Sequence, residues 1–174
     1  LTLQTASVDL HSGIYGGIAP NSAHEAAKLI AALYDESQTL KIDGFYDDVL
    51  PLSETSTIPF NQTSYTQITD AKAILNEPNI DPYSQVGLRP TVQVTGIQSG
   101  YVGEGYRNSI PAKTTVKINF RLVKNQNPDQ ILELFKNHVK KSLPDYVTYS
   151  IENSDPYDGI KLDVDNSYIQ KAVE

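Results

Sequence analysis

The order of its hydrophobic patterns constrains the fold of this 174-residue chain more than any other feature. Apolar residues at every second position predict strands, and apolar residues at the 3.6-residue spacing of an amphipathic helix predict helices. In chain order these patterns predict strand, helix, strand, strand, helix, strand. This order is typical of the ferredoxin-like split βαβ fold, an α+β fold in which two helices cover one face of a four-stranded antiparallel sheet.

The strand patterns have clear positions in the chain. Residues 1–10 alternate, but the alternation changes phase near Thr5, which indicates a bend or bulge. Further strands are predicted at 91–97, 114–122 and 147–151. In the strand at 114–122, the even-numbered residues from 116 onward are apolar and the odd-numbered residues are polar, so the two sets lie on opposite faces of the sheet.

Capping residues mark where the two main helices begin. The first starts at Asn21 or Ser22, with Glu25 three residues after Ser22 as in a capping box, and its apolar spacing continues to Tyr34. The second starts at the Asn127-Pro128 pair, which is typical of a helix N-terminus, and runs to about Ser142. Both helices therefore have well-defined starts.

Between the first helix and the second strand lies a long insertion, residues 35–90, which is polar and rich in proline. It is predicted to be a long connection with one short helix at about 65–75, ended by Pro78. The length of the chain suits a single domain, which we assign to residues 1–155. Residues 156–174 then begin a return to another domain of a longer protein.

Composition excludes several classes of function. The net charge is −7 and the pI is near 4.9, so a nucleic acid partner is not expected. There are no cysteines, which removes disulfides and thiolate metal sites. No apolar run approaches the length of a membrane span and no signal-peptide pattern is present, so we expect no membrane contact and a cytoplasmic protein.

The loop from Asp9 to Asn21 is the first candidate site. It is rich in glycine and joins the first strand to the first capped helix, which puts His11 at the mouth of a loop rather than in a core. Asp9 is close enough in sequence to help orient the imidazole. The alternative is that the glycines only form a turn and that His11 is an ordinary surface histidine.

Two further residues are candidates for recognising an anion or a carbonyl group. Arg121 is on the polar face of its strand, where a guanidinium can bind a carboxylate through two hydrogen bonds. Asn108 lies in the loop that precedes this strand and can donate a hydrogen bond to an oxyanion. Alternatively, Arg121 is a solvated strand residue or forms an ion pair within the sheet. The alternative for Asn108 is that it is only a turn residue.

The sequence does not indicate a metal site, a serine hydrolase site or a phosphate-binding loop. The three histidines have no ligand spacing, so no metal site is expected in this chain. His11 and Ser12 are adjacent and point apart, which does not suit a serine hydrolase. The glycines around Glu104 precede a strand rather than a helix, so a phosphate-binding loop is not indicated.

Six motifs, taken in order, resemble a known family. They are Asp-Leu-His-Ser-Gly with Tyr-Gly-Gly (9–17), Gly-Phe-Tyr-Asp-Asp-Val (44–49), Arg-Pro-Thr (89–91), Gly-Ile followed by Gly-Tyr-x-Gly-x-Gly (96–105), Ile-Pro-Ala-Lys (110–113) and Phe-Arg-Leu-Val (120–123). Together they resemble the lid, or dimerisation, domain of the co-catalytic zinc metallopeptidases. That family includes carnosine dipeptidases, aminoacylases, acetylornithine deacetylase and succinyl-diaminopimelate desuccinylase, and the motifs are most similar to its dipeptidase-like branch.

The resemblance implies a role for each candidate residue. The histidine that matches His11 reaches the active site of the partner subunit and polarises the scissile carbonyl. The arginine that matches Arg121 binds the terminal carboxylate of the substrate, and the position of Asn108, a threonine in carnosine dipeptidases, lies close to the substrate. Two zinc ions and the general base are expected in a catalytic domain outside these residues.

Three hypotheses follow from the sequence. The first is a dimerisation and substrate-recognition domain of a zinc-dependent dipeptidase or N-acyl-amino-acid hydrolase. Such a domain is inactive alone and pairs with a second copy to form a homodimer. The second is a stand-alone ferredoxin-like module that binds a small molecule or regulates another protein. The third is a purely structural pairing module.

Overall fold

The computed structural model describes residues 1–52, 60–153, 156–162, 167 and 171 of the chain. Its helices and strands, in chain order, are β1 (Thr2–Gln4), β2 (Leu10–His11), α1 (Ser12–Tyr15), α2 (Ser22–Ala31), α3 (Gln62–Thr69), α4 (Pro82–Leu88), β3 (Thr91–Ser99), β4 (Ser109–Ile110), β5 (Lys113–Arg121), α5 (Pro128–Ser142) and β6 (Thr148–Ser150). The predicted return to another domain over 156–174 lies partly outside the described residues and stays a prediction.

Four strands form an antiparallel sheet in the order β3-β5-β1-β6. Helix α2 connects β1 to β3 and α5 connects β5 to β6, which is the split βαβ connectivity. Residues of both helices share one buried cluster with Val92 of β3, so both helices cover the same face. The predicted ferredoxin-like α+β fold is confirmed.

Strand β5 has the alternation that the sequence predicts. Thr114 and Val116 are buried on the helix side, whereas Lys117, Asn119 and Arg121 are exposed on the other side. One face of the sheet is therefore covered by helices and the other is open.

The bend predicted near Thr5 is present, and it separates two sheets. β1 ends at Gln4, and the chain pairs again only at β2, which forms a separate two-stranded sheet with β4. The Thr5 N–H donates to the Ala112 carbonyl at 2.9 Å, which fixes the bend against the segment before β5. The first strand pattern thus serves two sheets.

The predicted capping box at the start of α2 is wrong. The cap is Asn21, whose Oδ1 accepts from the Ala23 N–H at 2.9 Å. Ser22 is already helical and buried, and its hydroxyl donates to the Pro111 carbonyl at 2.9 Å. Ser22 therefore ties α2 to the segment before β5 instead of capping the helix.

The helix predicted at 65–75 is also misplaced. Helix α3 begins earlier because the Asn61 side chain caps it, and it ends where Asp70 adopts a left-handed conformation with φ of 51°. Ile68 and Leu75, whose spacing suggested a longer helix, are 84% and 70% exposed. Their spacing did not mark a buried face.

The segment 35–90 is more than a connection. Its first part contributes Leu40, Ile42 and Phe45 to the main core. Its last part includes α4, which the Asp81-Pro82 pair starts in the same way that Asn127-Pro128 starts α5. The Asp81-Pro82 pair indicates a helix start in the sequence, although α4 was not predicted.

A buried ion pair holds the end of this segment. The Arg89 guanidinium donates to the Glu77 carboxylate at 2.7 Å and 3.3 Å, with side-chain exposures of 16% and 9%. Arg89 also lies over the Tyr46 ring, 4.7 Å from its centroid. The motifs at 44–49 and 89–91 therefore meet in one cluster around Glu77.

A half-buried histidine on α5 faces the same segment. Burial lowers the pKa of His138, while the Asp43 carboxylate and a hydrogen bond to the Lys41 backbone oppose that shift. Lys141 donates to Asp43 at 2.6 Å, which lowers the pKa of that carboxyl group, and adds to the positive charge near His138. The folded state consequently favours neutral His138.

Candidate functional site

The small β2–β4 sheet brings two of the predicted site residues together. His11 is opposite Ser109 in the register, and the Ser12 N–H donates to the Asn108 carbonyl at 3.0 Å. Both His11 and Asn108 are exposed. The backbone pairing therefore brings the segments of His11 and Asn108 together, although the two residues are far apart in the chain.

The contacts of His11 differ from those that the sequence suggests. Its Nδ1 accepts a hydrogen bond from the Gly13 N–H at 3.1 Å, which makes His11 the N-cap of α1. Asp9, predicted to orient the imidazole, instead accepts from the Ala112 N–H at 2.9 Å. Asp9 therefore holds the loop against the segment that leads into β5, and Gly13 is the residue that contacts the ring.

Gly17 is another glycine of this loop, and its backbone conformation favours glycine. Gly17 has φ of +83°, a left-handed conformation that residues with a Cβ rarely adopt. It reverses the chain between α1 and α2, which returns the loop to the body of the domain. The glycine-rich stretch is largely exposed, as expected for a loop that keeps His11 out of the core.

Arg121 lies elsewhere. It is the last residue of β5, exposed on the open face and paired in register with Thr91. Eight steps of about 3.3 Å separate it from Lys113 at the start of β5, a distance of about 26 Å. Within the described part of the chain Arg121 forms no ion pair.

Exposed apolar residues accompany His11 and Asn108 in their loops, and they were not predicted. Ile14, Ile18 and Tyr106 are 67%, 80% and 88% exposed, and they lie in the loops that carry His11 and Asn108. Arg107, in the same loop, stacks over the Tyr101 ring at 4.4 Å from its centroid. Bulky apolar residues inside a glycine-rich loop were the available signal.

The described residues include neither a metal cluster nor a membrane-spanning helix. Across residues 1–52, 60–153 and 156–162, no group of three or more His, Asp or Glu side chains is placed to hold a metal ion. No helix in the described ranges is long and apolar enough to cross a bilayer.

Known proteins resemble this chain over most of its length. The Cys-Gly metallodipeptidase dug1 of Schizosaccharomyces pombe is 28% identical over 146 residues, which is 81% of this chain and 31% of that protein. The Beta-Ala-His dipeptidase of Homo sapiens is 24% identical over 137 residues, 76% of this chain and 27% of that protein. The chain thus spans about a third or less of the curated relatives that it matches.

A solved structure and a family model agree with these relatives. The M20 family metallo-carboxypeptidase Sso-CP2 from Sulfolobus solfataricus superposes with a TM-score of 0.71 at 30% identity, covering 82% of this chain and 38% of that chain. The model of the peptidase dimerisation domain matches residues 1–147. This match includes the His11 loop, Asn108 and Arg121, and the chain belongs to the M20 peptidase dimerisation domain family.

Proposed function

We propose that this chain is the dimerisation and substrate-recognition domain of a zinc-dependent dipeptidase or N-acyl-amino-acid hydrolase. On its own it is inactive; it completes the active site of a partner subunit. The observation that carries the proposal is the meeting of His11 and Asn108 at one exposed end of a domain of this family. The whole enzyme would be a homodimer, and each chain would also carry a catalytic domain.

Each recognition residue has a defined task. His11 donates a hydrogen bond to the oxygen of the scissile carbonyl, which gains negative charge in the transition state. Asn108 lies beside it and adds a second polar contact to the substrate. Arg121 binds the free carboxylate of a small peptide or an N-acyl amino acid through two hydrogen bonds. Two zinc ions of the catalytic domain would supply Lewis acid chemistry and activate the attacking water.

The spacing of these residues supports a site built from two copies of the chain. About 26 Å separates Arg121 from the start of β5, and His11 lies beside the segment that precedes this start. An extended dipeptide spans about 7 Å, far less than the length of β5, which supports a site shared between two copies. We therefore assign His11 of one copy and Arg121 of the other to each active site.

Strand β3 offers an edge for pairing with a second copy. It is the outer strand beside β5, it has nine residues, and Ile97 on it is 61% exposed. An uncovered edge of this length pairs readily with another strand. The Tyr34 hydroxyl closes this edge at Val92, because it accepts from the Val92 N–H at 3.1 Å and donates to the Val92 carbonyl at 2.5 Å. Pairing would therefore use the part of β3 after Val92.

The decisive experiment uses the whole enzyme that contains this chain. His11→Ala should lower kcat by about 100-fold or more, the usual loss when one oxyanion donor is removed, and leave the metal content unchanged. His24→Ala is the matched control, because His24 is also an exposed histidine. Equal turnover of the two variants would refute the role of His11.

The second function considered from the sequence, a stand-alone sensor of a small molecule, makes a different prediction. A sensor should bind an amino acid or dipeptide as the isolated chain, and calorimetric titration would detect this heat of binding. The proposed recognition domain should give no heat, because half of its site lies in another subunit.

A cytoplasmic location remains a prediction from the sequence.

A further inference from the structure

We infer that Gly13 is a positioning residue for His11, holding its imidazole in the tautomer that carries the proton on Nε2. The hydrogen bond to the substrate carbonyl then comes from Nε2–H. This inference rests on the proposed function, since it names the donor atom of that site and the group that fixes it. It is carried by the geometry of the ring and of the loop backbone.

The hydrogen bond between Gly13 and His11 has a fixed direction. The Gly13 backbone nitrogen can only donate, and it lies 3.1 Å from Nδ1 of His11. Nδ1 must therefore present its lone pair. A neutral imidazole carries one proton, and when Nδ1 accepts, that proton is on Nε2. The contact consequently selects one tautomer of two.

The second step is the space that the ring occupies. A Cβ at position 13 would lie 3.0 Å from Cε1 and 3.2 Å from Nδ1 of His11, tighter than side chains normally approach. A side chain at this position would therefore displace the ring by a few tenths of an ångström from its contact with the backbone of its own turn. At Gly87, by contrast, an added Cβ meets no atom within 4 Å.

The third step is the rigidity of the surrounding backbone. Asp9 is held by the Ala112 N–H at 2.9 Å, and the Ser12 N–H is held by the Asn108 carbonyl at 3.0 Å. These contacts fix the main chain on both sides of His11. The side chain itself is exposed, so packing does not choose its rotamer, and the Gly13 contact does.

The consequence concerns the direction of the donor. Nδ1 faces the Gly13 backbone, so Nε2–H lies on the far side of the ring and points away from the loop. A donor that is already oriented needs no rearrangement when charge develops on the substrate oxygen, which is the basis of oxyanion stabilisation. The glycine thus supplies orientation, and the imidazole supplies the hydrogen bond.

Nitrogen-15 NMR of the chain labelled at histidine tests the tautomer directly, with two-bond proton–nitrogen correlations recorded at pH 8. We expect His11 to show a protonated Nε2 and an unprotonated Nδ1. In Gly13→Ala both ring nitrogens should shift toward averaged values, whereas Gly87→Ala should match the wild type. A wild-type ring protonated on Nδ1, or an even mixture of tautomers, would overturn the inference without any need for a variant.

Kinetics of the whole enzyme separate this inference from the proposed function. Gly13→Ala should lower kcat by about tenfold or more with little change in KM, because a displaced donor loses transition-state contacts. Full activity of Gly13→Ala beside an impaired His11→Ala would overturn the positioning role and leave the proposed function intact. Full activity of His11→Ala would overturn the proposed function. The tautomer of His11 would then have no role in catalysis.

Discussion

Removing the Arg89 side chain should destabilise the domain strongly. Arg89→Met keeps a similar volume but leaves the Glu77 carboxylate, whose side chain is 9% exposed, without its positive partner. At about 4 Å between charge centres and an effective dielectric constant of about 20, the lost attraction is about 4 kcal/mol. Breaking one side of a buried pair usually costs about 3–5 kcal/mol, which agrees with this figure.

Urea unfolding of the chain measures this loss. With a slope of about 2 kcal/mol per molar urea, a loss of 4 kcal/mol lowers the midpoint by about 2 M. Lys136→Met is the matched control, because Lys136 pairs with Glu133 at 2.6 Å but with exposures of 42% and 64%. An exposed pair contributes at most about 1 kcal/mol, so this midpoint should move by less than about 0.5 M.

A double variant separates the unpaired charge from the loss of packing. Arg89→Met combined with Glu77→Leu leaves no buried charge, so it should recover most of the stability lost in Arg89→Met alone. The reasoning is refuted if Arg89→Met moves the midpoint no more than Lys136→Met does. It is equally refuted if the double variant is less stable than Arg89→Met.

Three further outcomes are expected from other parts of the structure. Burial lowers the pKa of His138, so the unfolded chain binds this proton more readily than the folded chain. The contribution of neutral His138 to the unfolding free energy is therefore fully present above about pH 6.5 and falls as the pH drops below it. Urea midpoints at pH 7.5 and 5.5 should differ less in His138→Leu than in wild type. Tyr34→Phe leaves the Val92 N–H and carbonyl without their hydroxyl partner, which should cost about 1–3 kcal/mol of unfolding free energy measured by urea. In the whole enzyme, Arg121→Lys should raise KM for substrates with a free carboxylate, since a lysine cannot form the two-hydrogen-bond contact; an unchanged KM would contradict that assignment.

The periodic parts of the fold could be predicted from the sequence. The alternation in β5 and the apolar spacing and Asn127 cap of α5 were decisive, because each element buries one continuous face against the core. The helix predicted at 65–75 was misplaced relative to α3 because Ile68 and Leu75 repeat at helical spacing but are exposed. Periodicity identifies an element only when burial enforces it.

The candidate site was predictable only in part. The exposure of His11 and the outward direction of Arg121 followed from the loop composition and from strand parity. The contact of the His11 loop with Asn108 depends on the pairing of β2 with β4, which local sequence does not encode. The sequence also suggested Asp9 as the partner of His11, because nearness in the chain does not reveal that the Ala112 N–H competes for the same carboxylate.

The most direct test of the central claim is the activity of a mixed dimer of the whole enzyme. One chain carries His11→Ala, the other carries Arg121→Ala, and different affinity tags on the two chains allow the heterodimer to be purified. If each active site takes His11 from one copy and Arg121 from the other, one of the two sites is intact and the heterodimer has about half the wild-type activity. A heterodimer as inactive as the two parent homodimers would show that both residues act from the same copy and would contradict the account.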